Sequence, residues 1–256
     1  MFVVSLQSGS NGNSIYVETG SARLLIDAGI SGIQAQERLA AFGRDIRSID
    51  AVIVTHDHSD HVRCVGVYQR KFGLPAYITS RTFTAAAAWQ KLGKLSDVRH
   101  FRAGERIRFG TTAVETVPTP HDGVDGIAVV VDDGRRRMGV LTDLGHAFEG
   151  LDAVIDSLDG VLLESNYDCQ MLVSGPYPEF LKQRIQGPGG HLSNDEAAAV
   201  LCRCTSRRLQ WACLGHLSEQ NNEPRKAMET HRRVLGADFP LHIASRYQAA
   251  GPWQLV

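Results

Sequence analysis

The segment Thr55-His56-Asp57-His58-Ser59-Asp60-His61 packs three histidines and two aspartates behind one threonine. It follows Ala51-Val52-Ile53-Val54-Thr55, a β-branched apolar run that reads as a buried strand. In an extended or turning backbone His56 and His58 lie two apart and can point to one side. Asp60 and His61 open the next helix and project from its first turn. Imidazoles and carboxylates in this order can supply two adjacent divalent-metal sites, and the donor set suits zinc, manganese or iron alike. Metal-assisted hydrolysis is the chemistry such a site performs.

Strands must end beside these residues for them to converge. Phe2–Leu6, Ile15–Glu18 and Leu24–Asp27, each bounded by Gly, Ser or Asn, read as strands of a meander. Ile33, Leu39 and Phe42 are spaced helically before the stop signal of Gly43. A helix is expected after the histidine segment to about Lys71, with Cys64 inside it. A strand near Tyr77-Ile78 and a helix over Ala85–Leu92 follow. Arg106–Phe109, Ala113–Val117, Ile127–Val131 and Met138–Leu141 read as strands, with Asp132-Asp133-Gly134 a tight turn. Beyond Asp143 the expected order is helix Phe148–Ile155, strand Gly160–Leu163, helices Glu179–Ile185 and Asp195–Arg203, strand Leu209–Leu214 and helix Glu223–Val234. No repeat, low-complexity tract or linker interrupts the 256 residues, so one domain of mixed α and β structure over 1–256 is expected.

With 43% hydrophobic and 21% charged residues the chain reads as globular rather than disordered. No run approaches the roughly 18 apolar residues of a membrane helix, so no membrane partner is expected. Met1–Leu6 carries neither a basic region nor a cleavage site, so a secretory signal is not expected. Cys64, Cys169, Cys202, Cys204 and Cys213 are odd in number and form no paired framework, which suits free thiols in a cytoplasmic protein. Cys202 and Cys204, two apart on a helix, face different ways and read as packing rather than a zinc site. A net charge of −1 gives no global basic field, so nucleic acid would be met only by local patches. Candidate patches are Arg99, Arg102, Arg106 and Arg108; Arg135–Arg137, which also reads as a solvated face; Arg203, Arg207 and Arg208; and Arg225, Lys226, Arg232 and Arg233. Tyr167 and Tyr177 suit base stacking or core packing equally. The Ser8–Ser14 loop could offer backbone amides to a phosphate or be an ordinary strand connection. Lacking a lysine and a following helix, it is no Walker-type loop.

His-x-His-x-Asp-His after a hydrophobic strand resembles the metal-binding motif of the metallo-β-lactamase fold. Leu24-Leu25-Ile26-Asp27-Ala28-Gly29, Pro120-His121-Asp122, Leu141-Thr142-Asp143 and Leu214-Gly215-His216-Leu217-Ser218 match further motifs of that fold in order. The resemblance implies a four-layer αββα sandwich, two mixed sheets face to face with helices outside. It also implies one ion held by His56, His58 and His121 and a second by Asp60, His61 and His216. Asp143 would bridge the two, with Asp27 behind the ligands.

Three more segments are similar to the tRNA 3′-processing ribonucleases (tRNase Z): Leu162-Leu163-Glu164-Ser165-Asn166, Gly189-Gly190-His191-Leu192-Ser193, and His216-Leu217-Ser218. There a glutamate and a turn histidine form a dyad. Carried over, Glu164 orients His191, which protonates the leaving oxygen, while Asp60 orients a hydroxide activated by two metals. Across nearly the whole chain the sequence resembles the YycJ/WalJ-like branch of this superfamily. The shared phrases are Ser8-Gly9-Ser10-Asn11-Gly12-Asn13-Ser14, His56–His61, Glu164–Asp168, Gly175-Pro176-Tyr177-Pro178, Gly190–Asn194, and His216-Leu217-Ser218 with Asn221-Asn222. That branch implies a DNA exonuclease acting from the 5′ end, linked to mismatch repair.

The short span from Asp143 to His216 has no room for the cap domain of β-CASP nucleases, and no Gly- and Pro-rich arm is present. An open cleft is therefore expected, with DNA ahead of RNA as substrate. A small-molecule hydrolase (lactonase, thioesterase or cyclic phosphodiesterase) would keep the metal ligands but leave Glu164 and His191 idle. A non-catalytic binding member would have little use for a complete ligand set.

Overall fold

A computed structural model describes residues 1–204 and 208–256. Arg207 of the third basic cluster lies outside the described residues. The first sheet has the order β14-β1-β2-β3-β4-β5-β6. Its strands are β1 (Phe2–Gln7), β2 (Ser14–Glu18), β3 (Arg23–Ile26), β4 (Ala51–Ile53), β5 (Ala76–Thr79), β6 (Val98–Phe101) and β14 (Ala250–Gln254). The second sheet has the order β13-β12-β11-β10-β9-β8-β7. It contains β7 (Arg106–Phe109), β8 (Thr112–Pro118), β9 (Ile127–Asp132), β10 (Arg137–Leu141), β11 (Gly160–Glu164), β12 (Trp211–Gly215) and β13 (Leu241–Ile243). Both sheets are mixed. In the first, β14-β1-β2-β3 pair antiparallel and β3-β4-β5-β6 parallel. In the second, β7-β8-β9-β10 pair antiparallel and β10-β11-β12-β13 parallel.

The layering follows from the period-2 alternation of strands whose two faces are both buried. Val3, Ile15, Leu24 and Ile26 of the first sheet meet Val129, Val131, Val140 and Leu162 of the second in a shared core. Their neighbours Val4, Tyr16 and Leu25 point the other way, onto helices α1 (Gly32–Ala40) and α3 (Val65–Phe72). Leu141, Val161 and Leu163 likewise face α5 (Leu151–Asp156), α8 (Asn194–Arg203) and α9 (Pro224–Leu235). The result is the αββα sandwich. Among the described residues no helix is long and apolar enough to cross a membrane.

Four details differ from the sequence reading. The helix after the histidine segment is broken into α2 (Ser59–Val62) and α3. Cys64 stands at the break, where its N–H donates to the Ala28 carbonyl at 2.9 Å, so it caps α3 instead of lying inside it. The edge strands β6, β13 and β14 escape a periodicity search: β6 is largely exposed, β13 is three residues long, and β14 contains Gly251-Pro252, tolerated only at an edge. α6 (Cys169–Ser174) is a short helix, started where Asp168 accepts the Met171 N–H at 2.9 Å. Cys202 is exposed and Cys204 half-buried, so Cys202 does not serve packing. The remaining helices are α4 (Ser80–Trp89) and α7 (Glu179–Gln186).

The start of α8 bears on the site because it follows His191 directly. Ser193 and Glu196 form a full capping box there, Ser193 Oγ accepting from the Glu196 N–H at 3.2 Å. Ser193→Ala is expected to cost about 1 kcal/mol. Urea unfolding would show this as a lowered midpoint with an unchanged slope.

Candidate metal centre

The functional side chains sit where strands of both sheets end at one edge, the usual ligand position of parallel strands. Asp27 follows β3, and Thr55-His56 follows Val54 at the end of β4. Asp143 lies just past β10, Glu164 ends β11, and His216 follows β12. Asp27, Asp143 and His216 all take left-handed backbone, with φ of 68°, 55° and 53°. Aspartate and histidine tolerate this region better than most residues, yet each still costs of order 1–3 kcal/mol. Strain repeated at three strand ends around one point marks a site whose geometry outranks local stability.

His56, His58 and His121 each offer a ring nitrogen within 4.8 Å of the others. His121 is oriented by donating Nδ1–H to the Gly190 carbonyl at 2.8 Å, which leaves Nε2 3.2 Å from His58 Nδ1. His56 Nδ1 lies 3.0 Å from the Thr55 hydroxyl, and its Nε2 is buried without a hydrogen-bond partner. Asp60, His61 and His216 form a second group of the same size. His61 Nδ1 lies 2.7 Å from Asp27 Oδ2, turning Nε2 toward Asp60 Oδ2 at 3.3 Å and Asp143 Oδ2 at 3.2 Å. Asp27 is itself fixed by the Thr55 N–H at 2.8 Å and the Thr55 hydroxyl at 2.9 Å. Asp143 stands between the groups, with Oδ1 3.6 Å from His121 Nε2 and Oδ2 2.9 Å from His216 Nδ1.

These donors fit metal ions. His56 Nε2 is buried without a hydrogen-bond partner, and His216 Nδ1 and Asp143 Oδ2, buried 2.9 Å apart, are not aligned to form one. Buried polar atoms are rarely left so without a cation or water to satisfy them. The second contact of each histidine, to Thr55, Gly190 or Asp27, is the kind that orients metal-ligating imidazoles.

Charge balance agrees. Burial, and then His61, holds His56 well below the ordinary histidine value, keeping it a neutral donor. Burial and His121 lower His58 as well. Burial would lower His61 and His216 too, but the surrounding carboxylates outweigh it. Asp143, Asp27 and Asp60 raise His61 well above its ordinary value, and Asp143 and Asp60 raise His216 to about 10. Burial would raise Asp60 and Asp143, and those same histidines overcome it, holding both carboxyls well below the usual range. The carboxylates thus favour positive charge in this pocket, the balance that divalent cations would supply.

Glu164 is fully buried. Its Oε2 accepts the Leu144 N–H at 3.0 Å, and its Oε1 lies 2.6 Å from His191 Nδ1. His191 lines a cleft of about 330 Å³ together with His58, Asp60, Asp143 and His216. Its Nδ1 is 3.7 Å from Asp143 Oδ1, so the pair adjoins both metal-ligating groups. His56, His58, Asp60, His61, His121, Asp143, Glu164, His191 and His216 therefore lie close together. His146, near Asp143 in the chain, instead faces the Pro188 carbonyl at 2.7 Å, and His231 is a buried residue of α9, within reach of the Ala227 carbonyl.

Three supporting residues, two of them in one loop, carried no assigned role in the sequence reading. Asn13, within the Ser8–Ser14 phrase, donates to Asp60 Oδ2 at 3.1 Å and lies 2.9 Å from His61 Nε2. Ser8 of the same loop accepts the His216 N–H at 2.9 Å, so this loop does more than connect strands. Gly29 is the other. A Cβ there would fall 1.6 Å from the Asp60 carbonyl oxygen. The only signal for it was its place in the Leu24–Gly29 phrase. Gly29→Ala must push the metal-binding loop away from β3, at an expected cost of about 1–3 kcal/mol. Metal content after purification should fall together with the unfolding temperature.

The basic clusters look different in three dimensions. Arg106 pairs with Asp132 at 3.0 Å, Arg136 with Asp159 at 3.0 Å, Arg137 with Glu115 at 2.6 Å, and Arg203 with Asp152 at 2.8 Å. Arg99 pairs with Asp97 at 3.0 Å and Arg225 with Glu229 at 3.1 Å. Most of that charge is spent within the fold. Tyr167 is buried against Leu172 and Ile185 and serves packing, whereas Tyr177 lines the cleft.

Residues 8–167 match the model of the metallo-beta-lactamase superfamily. Exodeoxyribonuclease WalJ of Streptococcus pneumoniae is 39% identical over 251 residues, covering 94% of this chain and 93% of that protein. Exodeoxyribonuclease YycJ of Bacillus anthracis is 32% identical over 246 residues, covering 93% and 92%. The crystal structure of the metallo-beta-lactamase fold protein YhfI from Bacillus subtilis superposes with a TM-score of 0.74 at 17% identity, covering 98% of this chain and all of that one, a likeness of fold. Two sheets, the histidines and aspartates gathered at their shared edge and these relatives agree, and the chain belongs to the metallo-beta-lactamase superfamily, in the branch that includes WalJ and YycJ.

Proposed function

We propose that this chain is a metal-dependent exonuclease that removes nucleotides from the 5′ end of DNA. The observation that carries the reading is the Glu164–His191 pair, held at 2.6 Å inside the cleft of the metal-ligating groups. Relatives named exodeoxyribonucleases, aligned over more than nine-tenths of the chain, support DNA as the polymer. In this reading His56, His58 and His121 would hold one divalent ion and Asp60, His61 and His216 a second, with Asp143 a ligand both could share. Zinc, manganese and iron all suit these donors. The five thiols, none of them in a disulfide, suit a cytoplasmic enzyme, and strand removal in DNA repair is the setting its resemblance implies.

When bound, such ions activate water and neutralise the charge that develops on phosphoryl oxygens. The chain's own groups do the rest. Asp60, beside His61 and His216, orients the attacking water toward phosphorus. As the P–O bond breaks, His191 delivers a proton to the departing sugar oxygen. Glu164 accepts from Nδ1 of His191, leaving Nε2 as the nitrogen that carries and releases that proton. Tyr177, Leu181 and Ile185 form an apolar cleft wall against which a terminal base can lie.

A lactone or thioester hydrolase would need no proton donor fixed in this way. The test is chelation with EDTA, then return of manganese, zinc or ferrous iron, assayed on DNA, RNA of the same sequence, a lactone and a thioester. DNA hydrolysis should vanish on chelation, return with metal, and exceed RNA hydrolysis at least about tenfold, a difference of about 1.4 kcal/mol. Rapid lactone or thioester turnover with inert nucleic acid would overturn the reading.

A further inference from the structure

A second cavity of about 360 Å³ adjoins the metal cleft, and Ser218 lines both. Arg246 lines that second cavity, and its side chain is only 11% exposed. Its Nε and Nη1 are buried without a hydrogen-bond partner. Its Nη2 donates to Ser10 Oγ at 3.1 Å, and Ser10 lines the metal cleft. Among the described residues its one carboxylate partner is Glu219, 3.7 Å away on a side chain that is 56% exposed. A buried guanidinium with one weak, solvent-screened counter-charge is expensive to maintain. It is worth keeping where an anion arrives from outside.

The surroundings point the same way. Arg63 reaches the Asn11 carbonyl of the same loop at 2.6 Å and forms no ion pair with a carboxylate among the described residues. Arg38 braces the far side by donating to the Tyr247 carbonyl at 2.7 Å. Tyr247 is 63% exposed, its ring 5.6 Å from the Arg246 guanidinium carbon. On the opposite rim of the cleft Arg184 is neutralised by Asp122 at 2.7 Å. Among the described residues Arg63 therefore lacks a carboxylate partner and Arg246 has only the exposed Glu219, which also accepts from the Tyr247 hydroxyl at 2.9 Å, whereas Arg184 on the opposite rim is closely paired.

Resting on the exonuclease reading, we propose that Ser10, Arg63, Arg246 and Tyr247 form a track for the strand that remains attached. Ser10 and Arg246 hold the second phosphodiester from the 5′ end, and Tyr247 stacks the base beside it. A charge-assisted contact of this kind sets the expected loss at about 10- to 100-fold.

The experiment uses 5′-phosphorylated single-stranded oligonucleotides carrying one neutral methylphosphonate, at the second linkage or at the fifth. Release of the first nucleotide is followed with manganese present. On the wild-type protein the second-linkage substitution should lower kcat/KM about 10- to 100-fold, and the fifth-linkage one by less than about threefold. Arg246→Ala should show the same loss on the unmodified strand and no further loss with the methylphosphonate, while Arg246→Lys regains part of it. Fluorescence anisotropy of the chelated protein, where no turnover occurs, supplies a second readout. The slope of log affinity against log salt should be shallower by about 0.7 in Arg246→Ala, one phosphate contact on a single strand.

Indifference of the wild-type protein to the second-linkage methylphosphonate would overturn the track, and so would losses that add in the variant. If Arg246→Ala does not fold, the wild-type and Arg246→Lys comparisons still decide. If the wild-type protein cleaves no oligonucleotide, the exonuclease reading fails, and the salt slope judges the track alone: equal slopes in wild type and variant overturn it.

Discussion

Asp143→Ala is expected to lower kcat/KM on DNA by about a thousandfold or more. The carboxylate has one oxygen on each side of the gap between the two ligand groups, 3.6 Å from His121 Nε2 and 2.9 Å from His216 Nδ1. It is a buried carboxylate that faces both groups with one side chain. Losing several kcal/mol of transition-state stabilisation from a misassembled metal pair corresponds to three or more powers of ten. The substitution also leaves His61 and His216 with less buried counter-charge, so the metal-free protein should unfold more easily. Asp143→Asn keeps the shape and the backbone tolerance while removing the charge. It should retain the fold better than the alanine variant yet share most of its loss of metal and rate. Metal analysis and steady-state kinetics on both variants would separate these effects.

His191→Ala should cost about 10²–10⁴ in kcat on DNA with bound metal unchanged, the range for removal of a positioned proton donor. The leaving group distinguishes this role from a structural one. A sugar alkoxide needs a proton as it departs, whereas a nitrophenolate leaves without one. The loss should therefore be large on DNA and small on a bis(nitrophenyl) phosphate. Equal losses on both substrates would mean that His191 acts by shaping the site. Glu164→Gln should follow the same pattern at smaller amplitude, since the amide still fills the buried space beside the Leu144 N–H.

The sandwich was legible where strands are buried on both faces. Leu24-Leu25-Ile26 is a continuous apolar run because Leu24 and Ile26 enter the core between the sheets while Leu25 enters the one under α1 and α3. The outer layers came from resemblance, because a helix period does not say which sheet a helix covers. Edge strands failed for the opposite reason: they bury little, and β14 carries a Gly-Pro pair that reads as a stop.

The site divides similarly. His56, His58, Asp60 and His61 are neighbours in the chain, so their chemistry shows locally. His121, Asp143 and His216 are lone residues after strands, and only the matching order of motifs singled them out. Their left-handed backbone at strand ends leaves no mark in composition. The basic clusters misled because sequence spacing hides partners across a hairpin. Arg137 sits opposite Asp132 in the β9–β10 register, and Arg106 opposite Glu115 in β7–β8. The three arginines around the Ser8–Ser14 loop come from distant parts of the chain, so no cluster announced them.

Digestion of a 3′-labelled DNA duplex tests the central claim most directly. Strands with a 5′-phosphate or a 5′-hydroxyl would be incubated with manganese or zinc, beside an Asp60→Ala control. The account expects a ladder of labelled strands shortening from the 5′ end, absent in the control. Intact strands under every metal, or a ladder that persists in Asp60→Ala, would contradict it.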